Sequence, residues 1–197
     1  MRILTFSDVH HDLEAARRLV KMSDDVDVVI GAGDFAVMHE HLEETIATLA
    51  AIGTPTIIVP GNGETEDALS TACAGWPAAH VCHGSVADVA GATFFGIGGG
   101  IPPIGQDWSY DFDETRAAAI LESCPAGAIL VSHSPPYGHV DGVDGKHSGS
   151  KAVLAAIGHA RPPLVVCGHV HACWRQESSI GATRIVNPGP GGWIVEV

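Results

Sequence analysis

The chain is 197 residues long, 46% hydrophobic and 17% charged, with a formal net charge of −13. This length and apolar content suit one compact domain, residues 1–197, and exclude a disordered or fibrous chain. The 10 lysines and arginines form no stripe or cluster, which argues against a protein that grips nucleic-acid phosphates.

Ile3–Phe6 reads as a buried strand, followed by a polar turn and a helix over Leu13–Met22. That helix sets Leu13, Ala16, Arg17 and Val20 at helical spacing, and Asp12 is placed to cap it. A second strand, Val26–Ile30, ends in Gly31-Ala32-Gly33-Asp34, and a helix near Glu40–Ala51 follows with Leu42, Ile46, Leu49 and Ala50 on one face. The third strand, Thr56–Val59, ends in Pro60-Gly61-Asn62-Gly63. Val81–His83 and Thr93–Gly98 read as antiparallel strands added to a parallel set. The loop from Gly98 to Asp111 is of a length that is often functional. A helix near Glu114–Leu121 leads to the strand Ala128–Val131, which ends in Ser132-His133. Tyr137–Ser150 reads as a Gly-rich loop carrying Asp141, Asp144, Lys146 and His147. A helix near Lys151–Ile157 leads to the strand Leu164–Cys167, broken by Gly168-His169-Val170-His171. Trp174–Gln176, Thr183–Asn187 and Trp193–Val197 read as closing strands. The alternation of strand and helix predicts an α/β fold.

Each of the long apolar runs is followed at once by residues with ligand chemistry. Asp8-Val9-His10 stands after the first, Asp34 after the second, Asn62 after the third, His133 after the fourth, and His169 and His171 after the fifth. Open α/β sheets hold their sites beyond the carboxyl ends of the strands. Two carboxylates, four imidazoles and an amide oxygen exceed the roughly four ligands of one tetrahedral site. Two ions sharing a carboxylate would use them all, and ion pairs about 3.5–4 Å apart recur in phosphatases and nucleases. A nitrogen and oxygen set without thiolate suits divalent Mn, Fe, Zn, Ni or Co, with Mn favoured, rather than Ca or Mg. Gly31-Ala32-Gly33-Asp34-Phe35-Ala36 superficially matches a dinucleotide fingerprint, but Asp34 would repel a pyrophosphate.

Taken in order, Asp8-x-His10, Gly33-Asp34, Gly61-Asn62, His133 and Gly168-His169-x-His171 resemble the calcineurin-like metallophosphoesterases, with motifs spanning residues 8 to 171. The resemblance implies a four-layer α/β-β/α sandwich of mixed sheets with a dinuclear metal site at the strand C-terminal ends. It implies that Asp8, His10 and His171 hold the first metal and Asn62, His133 and His169 the second, with Asp34 bridging. Asp34, Asn62 and His133 are thereby the candidate catalytic residues. The implied reaction is hydrolysis of a small phosphoester, a diester favoured over a monoester, by a hydroxide activated between the ions. The alternative on the same fold is a non-catalytic metal-binding scaffold. Many members carry a His directly after the Asn, whereas here Gly63 stands there, followed by Glu64. His11 is a second departure, since Gly is common after the first motif's His. Gly63 and His147, the latter in a loop where members build their substrate cleft, are the candidate substrate contacts.

Five cysteines, odd in number and without a C-x-x-C pair, predict a reducing compartment rather than a disulfide framework. Arg2–Phe6 already reads as a strand, which predicts no leader before the fold. No apolar run approaches the roughly 18 residues of a membrane span. The expectation is therefore a cytoplasmic protein acting on a small molecule, and a homodimer is compatible with it. His39, His41, His80, His83, His139 and His159 read as surface or satisfied core histidines, and Trp108 and Tyr110 as packing residues.

Overall fold

In the computed structural model, which describes residues 1–143 and 145–197, the apolar runs become parallel strands of two sheets. The first sheet holds β1 (Arg2–Phe6), β2 (Val28–Gly31), β3 (Thr56–Ile58), β4 (Ala79–Val81) and β13 (Trp193–Glu196), in the order β13-β1-β2-β3-β4. Only β13 runs antiparallel to its neighbour there. The second sheet holds β5 (Ser85–Val89), β6 (Ala92–Ile97), β7 (Ile129–Ser132), β10 (Leu164–Val166), β11 (Gln176–Ile180) and β12 (Thr183–Asn187), in the order β11-β12-β10-β7-β6-β5. Its four central strands are parallel and both edge strands antiparallel.

The two sheets face each other across a core of Ile3, Val28, Ile30, Ile57 and Val59 from one side and Phe94, Val131, Leu164, Val166 and Val186 from the other. Helices α1 (Leu13–Met22), α2 (Leu42–Leu49) and α3 (Glu66–Ala72) cover the outer face of the first sheet, with Leu19, Ile46, Leu49 and Leu69 packed on Leu4, Val29 and Ile58. Helices α4 (Glu114–Leu121) and α5 (Lys151–Ala160) cover the second sheet, Ala117, Leu121, Val153 and Ile157 meeting Phe95, Leu130 and Val165. The result is four layers. Strands buried on both faces need apolar side chains at every position, which is why these runs are continuous rather than alternating. Each fully buried Val, Leu, Ile or Phe contributes roughly 1.5–3 kcal/mol.

Several sequence expectations need correction. The strand expected at Val81–His83 lies at Ala79–Val81 and is parallel to β3, not antiparallel. β6 is antiparallel to β5 but parallel to β7. α3 was not expected; Thr65 caps it by accepting the Ala68 N–H, with Glu66 and Asp67 in its first turn. α2 is shorter than expected because Val37 and Glu40 bond to each other in a tight turn and His41 enters the helix at φ +63°. α5 runs on to Ala160, whose burial with Ala156 and Ile157 outweighs the weak propensity of Gly158. Tyr137–Ser150 contains a small hairpin of β8 (Gly142–Val143) and β9 (Lys146–His147) rather than loop alone. Trp174 stands outside any strand, after a 3-10 turn at His171–Cys173. Asp12 caps α1 as expected, accepting from the Glu14 and Ala15 N–H groups.

Candidate metal centre

Because β1, β2 and β3 are parallel in one sheet, and β7 and β10 in the other, all five release their chains on the same rim. Hydrogen bonds join the rim loops within each sheet, and one crosses between the sheets. The Asp8 N–H donates to Gly33 O at 2.9 Å, the Gly168 N–H to His133 O at 2.9 Å, and the His169 N–H to Asp8 Oδ1 at 2.9 Å. Close approach demands glycine at two of these turns. A Cβ on Gly61 would collide with Asp34, and one on Gly168 would lie 2.6 Å from the Ser7 Cβ and 2.8 Å from Asp8 Oδ2. Asp8, His10, Asp34 and His169 themselves have φ between +43° and +66°, a conformation few side chains adopt.

The structure brings the seven expected ligands into two adjoining groups. Ligand atoms of Asp8, His10, Asp34 and His171 all lie within 4.8 Å of one another. His10 Nε2 is 3.1 Å from His171 Nε2 and 3.4 Å from Asp34 Oδ2. On the other side, Asn62 Oδ1 is 3.1 Å from His133 Nε2 and 2.9 Å from His169 Nδ1, with His133 Nε2 3.6 Å from Asp34 Oδ2. The same Asp34 oxygen thus faces both groups, while its other oxygen accepts the Gly63 N–H at 2.8 Å.

Hydrogen bonds behind the rim set which atom each side chain presents. His133 Nδ1 donates to Ala32 O at 2.8 Å, and His10 Nδ1 to Ala36 O at 3.0 Å. Asn62 Nδ2 donates to Ser109 Oγ at 3.0 Å, which turns the amide oxygen inward. A neutral His133 therefore points a bare ring nitrogen at two oxygens that only accept. Those atoms are sealed from solvent, His133 being 0% exposed and Asp34 and Asn62 4%. A cation satisfies this donor set; a second proton on His133 is the other way to do so.

The electrostatics agree. Burial pushes the Asp34 carboxyl up, but His133, His10 and the Gly63 N–H outweigh it and hold the group below the usual carboxylate range. Burial pushes the His133 imidazole down, while Asp34 and Asp8 beside it raise it above its ordinary 6.5. Burial and the neighbouring His133 hold His169 down at about 3, so it is neutral and able to ligate.

Of the two candidate substrate residues, Gly63 stands against this centre. A Cβ on Gly63 would lie 3.2 Å from both Ala36 O and Asp34 Oδ1, so any side chain there is tight against the carboxylate between the two groups. His147 bonds through Nδ1 to the buried Asp141 at 2.8 Å, in a hairpin tied to the His171–Cys173 turn by Cys173 Sγ and Gly142 O at 3.5 Å. Among the described residues no hydrogen bond joins His147 to the seven ligands, and Asp144 lies outside the described residues. Tyr110 packs against Phe112 with ring centroids 4.8 Å apart. His83 departs from expectation: it is half-buried, and its Nε2 has no partner among the described residues.

Sequence reasoning missed the groups that hold the candidate ligands. Asp8 Oδ2 accepts from Ser7 Oγ and from Trp174 Nε1 at 3.1 Å. Asn187 Nδ2 bridges Gly168 O and Val170 O, each at 3.2 Å, under the last His-x-His turn. Glu64 is fully buried and accepts the N–H groups of Asp34, Ala36 and Gly61 at 2.7–2.9 Å. Glu64 is followed closely by Glu66 and Asp67 at the start of α3, so nothing in the sequence marks it as the buried one.

The family profile described as "Calcineurin-like phosphoesterase superfamily domain" matches residues 1–194. No curated protein sequence matches the chain. Among solved structures, the chain is similar to the TT1561 protein of Thermus thermophilus, at 22% identity and a TM-score of 0.79, with 96% of this chain and 90% of that one covered. It is also similar to a dimetal phosphatase from Danio rerio, at 12% identity and a TM-score of 0.63, covering 95% and 86%. The phosphopantetheinyl hydrolase of Mycobacterium tuberculosis follows at 16% identity and 0.57, covering 95% and 88%. At these identities the structures speak for the fold, while the profile spans nearly the whole sequence. The chain belongs to the calcineurin-like phosphoesterase superfamily.

Proposed function

We propose that this chain, as a single domain, is a dinuclear metal-dependent phosphoesterase acting on a small phosphoester in the cytoplasm. The observation that carries the reading is the sealed pocket in which a bare His133 nitrogen, Asn62 Oδ1 and Asp34 Oδ2 face one another beside the Asp8, His10 and His171 group. In this reading Asp8, His10 and His171 would hold one ion, Asn62, His133 and His169 the other, and Asp34 would be shared between them. The donor set suits divalent Mn, Fe, Zn, Ni or Co. When bound, such a pair supplies a nucleophilic hydroxide near neutral pH and takes up charge developing on the phosphoryl oxygens. The chain's own part is to fix the tautomers of His10 and His133 through Ala36 O and Ala32 O, and to occupy Asp34 Oδ1 with the Gly63 N–H. His171, half-exposed, marks the open side by which an ester reaches the centre. The five free, buried cysteines fit a reducing compartment.

Two features support diesters over monoesters. The loop segments that carry the seven candidate ligands, 7–12, 32–41, 60–64, 133–136 and 167–173, contain no Lys or Arg to meet the second charge of a monoester. Gly63 offers no side chain to protonate a departing alkoxide, so that proton comes from solvent and the rate depends steeply on the leaving group.

The test is metal analysis of the purified protein together with hydrolysis of bis(p-nitrophenyl) phosphate, p-nitrophenyl phosphate and unactivated alkyl diesters. Two equivalents of metal and fastest turnover of the activated diester are expected, and Asp34→Asn lowers that rate by about 100-fold or more. Two bound ions with no ester cleaved would refute the enzyme reading in favour of a metal-binding scaffold.

A further inference from the structure

A separate group of ligating side chains stands outside the rim centre, where the chain after β1 meets the start of α2. We propose that His11, His41 and Glu44 form a third metal site that takes a divalent transition ion of the Zn, Co, Ni or Cu class. The His11 and His41 rings lie parallel, 11° apart with centroids at 4.2 Å. Glu44 Oε2 approaches His11 Nε2 at 2.7 Å and His41 Nδ1 at 4.0 Å. One ligand atom from each of the three lies within 4.8 Å of the others.

The donors converge because the backbone holds them. The His11 N–H donates to Phe35 O, and His41 O accepts both the N–H and the Oγ of Thr45. His41 occupies the N-cap of α2, where Ser, Thr, Asp or Asn normally serves, yet its imidazole makes no cap bond. The helix therefore makes no use of that ring. Among the described residues Glu44 pairs with no Lys or Arg, so its carboxylate is committed only to the two imidazoles. A lone surface pair of His11 and Glu44 contributes little and gives no reason for His41 to be there.

An ion at about 2.0–2.2 Å from each ligand requires donor atoms roughly 3–4 Å apart. The observed separations straddle that range, and side chains 28%, 47% and 63% exposed can close the difference by small rotations. Two imidazoles and one carboxylate, with the remaining positions open to water, form a set that imidazole-seeking ions accept and Mg or Ca does not. Bound there, the ion ties the turn carrying His10 to the start of α2.

The proposal is independent of the rim centre and is tested by difference. The chelator-stripped protein and its His41→Ala and Glu44→Gln variants are dialysed against the same free Co²⁺, and bound cobalt is counted by elemental analysis alongside visible absorbance. Both side chains are exposed and outside the proposed catalytic machinery, and circular dichroism checks that the variants fold. The expected result is one cobalt fewer in each variant than in the parent, with diester hydrolysis retained. Equal counts in parent and variants overturn the third site. The number of ions the variants keep judges the dinuclear reading separately.

Discussion

Glu64 gathers three backbone N–H groups, those of Asp34, Ala36 and Gly61, on one carboxylate at the junction of the loops after β2 and β3. Burial and the nearby Asp34 push this carboxyl up to about 7, while the Ala36 and Gly61 N–H groups pull the other way. Glu64→Gln keeps the shape but turns an NH₂ toward at least one backbone N–H. A buried donor left without an acceptor costs about 1–3 kcal/mol. The variant is expected to lose that much stability in urea unfolding and about 10–100-fold in metal affinity, because Asp34 and Asn62 sit on the two loops it ties. An unchanged midpoint with unchanged metal binding would show that the loops hold themselves. The contrast with the ligands is instructive. The seven candidate ligand positions stand out in the sequence because each follows a long apolar run. Glu64, Ser7, Trp174 and Ser109 do not, because a residue that orients another through one hydrogen bond has no spacing rule. Only the fold brings Trp174 within 3.1 Å of Asp8.

At the scale of elements, α4 and α5 are joined end to end by Glu114. Its carboxylate accepts the Lys151 N–H at 2.9 Å, the Ala152 N–H at 2.7 Å and the Ser150 hydroxyl at 2.9 Å. The first N–H groups of any helix lack partners within it, and a carboxylate there also meets the positive end of the helix dipole. Glu114→Ala is expected to destabilise the protein by about 1–2 kcal/mol, read as a lower urea midpoint, with activity per folded molecule unchanged. A variant as stable as its parent would mean that Ser150, which also caps α5 by accepting the Val153 N–H, suffices alone. Element prediction succeeded where one local signal dominated. α1 and α4 run over the expected residues because an Asp cap precedes an amphipathic run in each. It failed where tertiary pairing decides. Ala79–Val81 is exposed or half-buried and short, so nothing local distinguishes a parallel partner of β3 from an antiparallel one. The closing strands part company for the same reason: β12 stays in the second sheet, whereas β13 returns to pair with β1.

Across the whole molecule, the candidate ligands divide between the two sheets. Asp8, His10, Asp34 and Asn62 follow strands of the first, and His133, His169 and His171 follow strands of the second. Ions held by both sets would cross-link the halves of the sandwich, so metal is expected to raise the melting temperature of the entire fold. At a free concentration 100 times the dissociation constant, one site adds about 2.7 kcal/mol. This gain carries a pH signature whose sign follows from His133. Without metal its folded pKa lies above the ordinary 6.5, so the stability it contributes is present below pH 6.5 and is lost as pH rises through the folded value. Metal requires the imidazole neutral, so each displaced proton makes apparent affinity grow about tenfold per pH unit in that range. His169 does not oppose this trend in the folded chain, since it is already neutral down to about pH 3. Melting curves with and without Mn²⁺ at pH 5.5, 6.5 and 8 should therefore show a metal-induced rise that is largest at pH 8 and nearly absent at 5.5. A rise of equal size at all three values would mean that no imidazole gives up a proton to the ion, and the ligand assignment of His133 would fall with it.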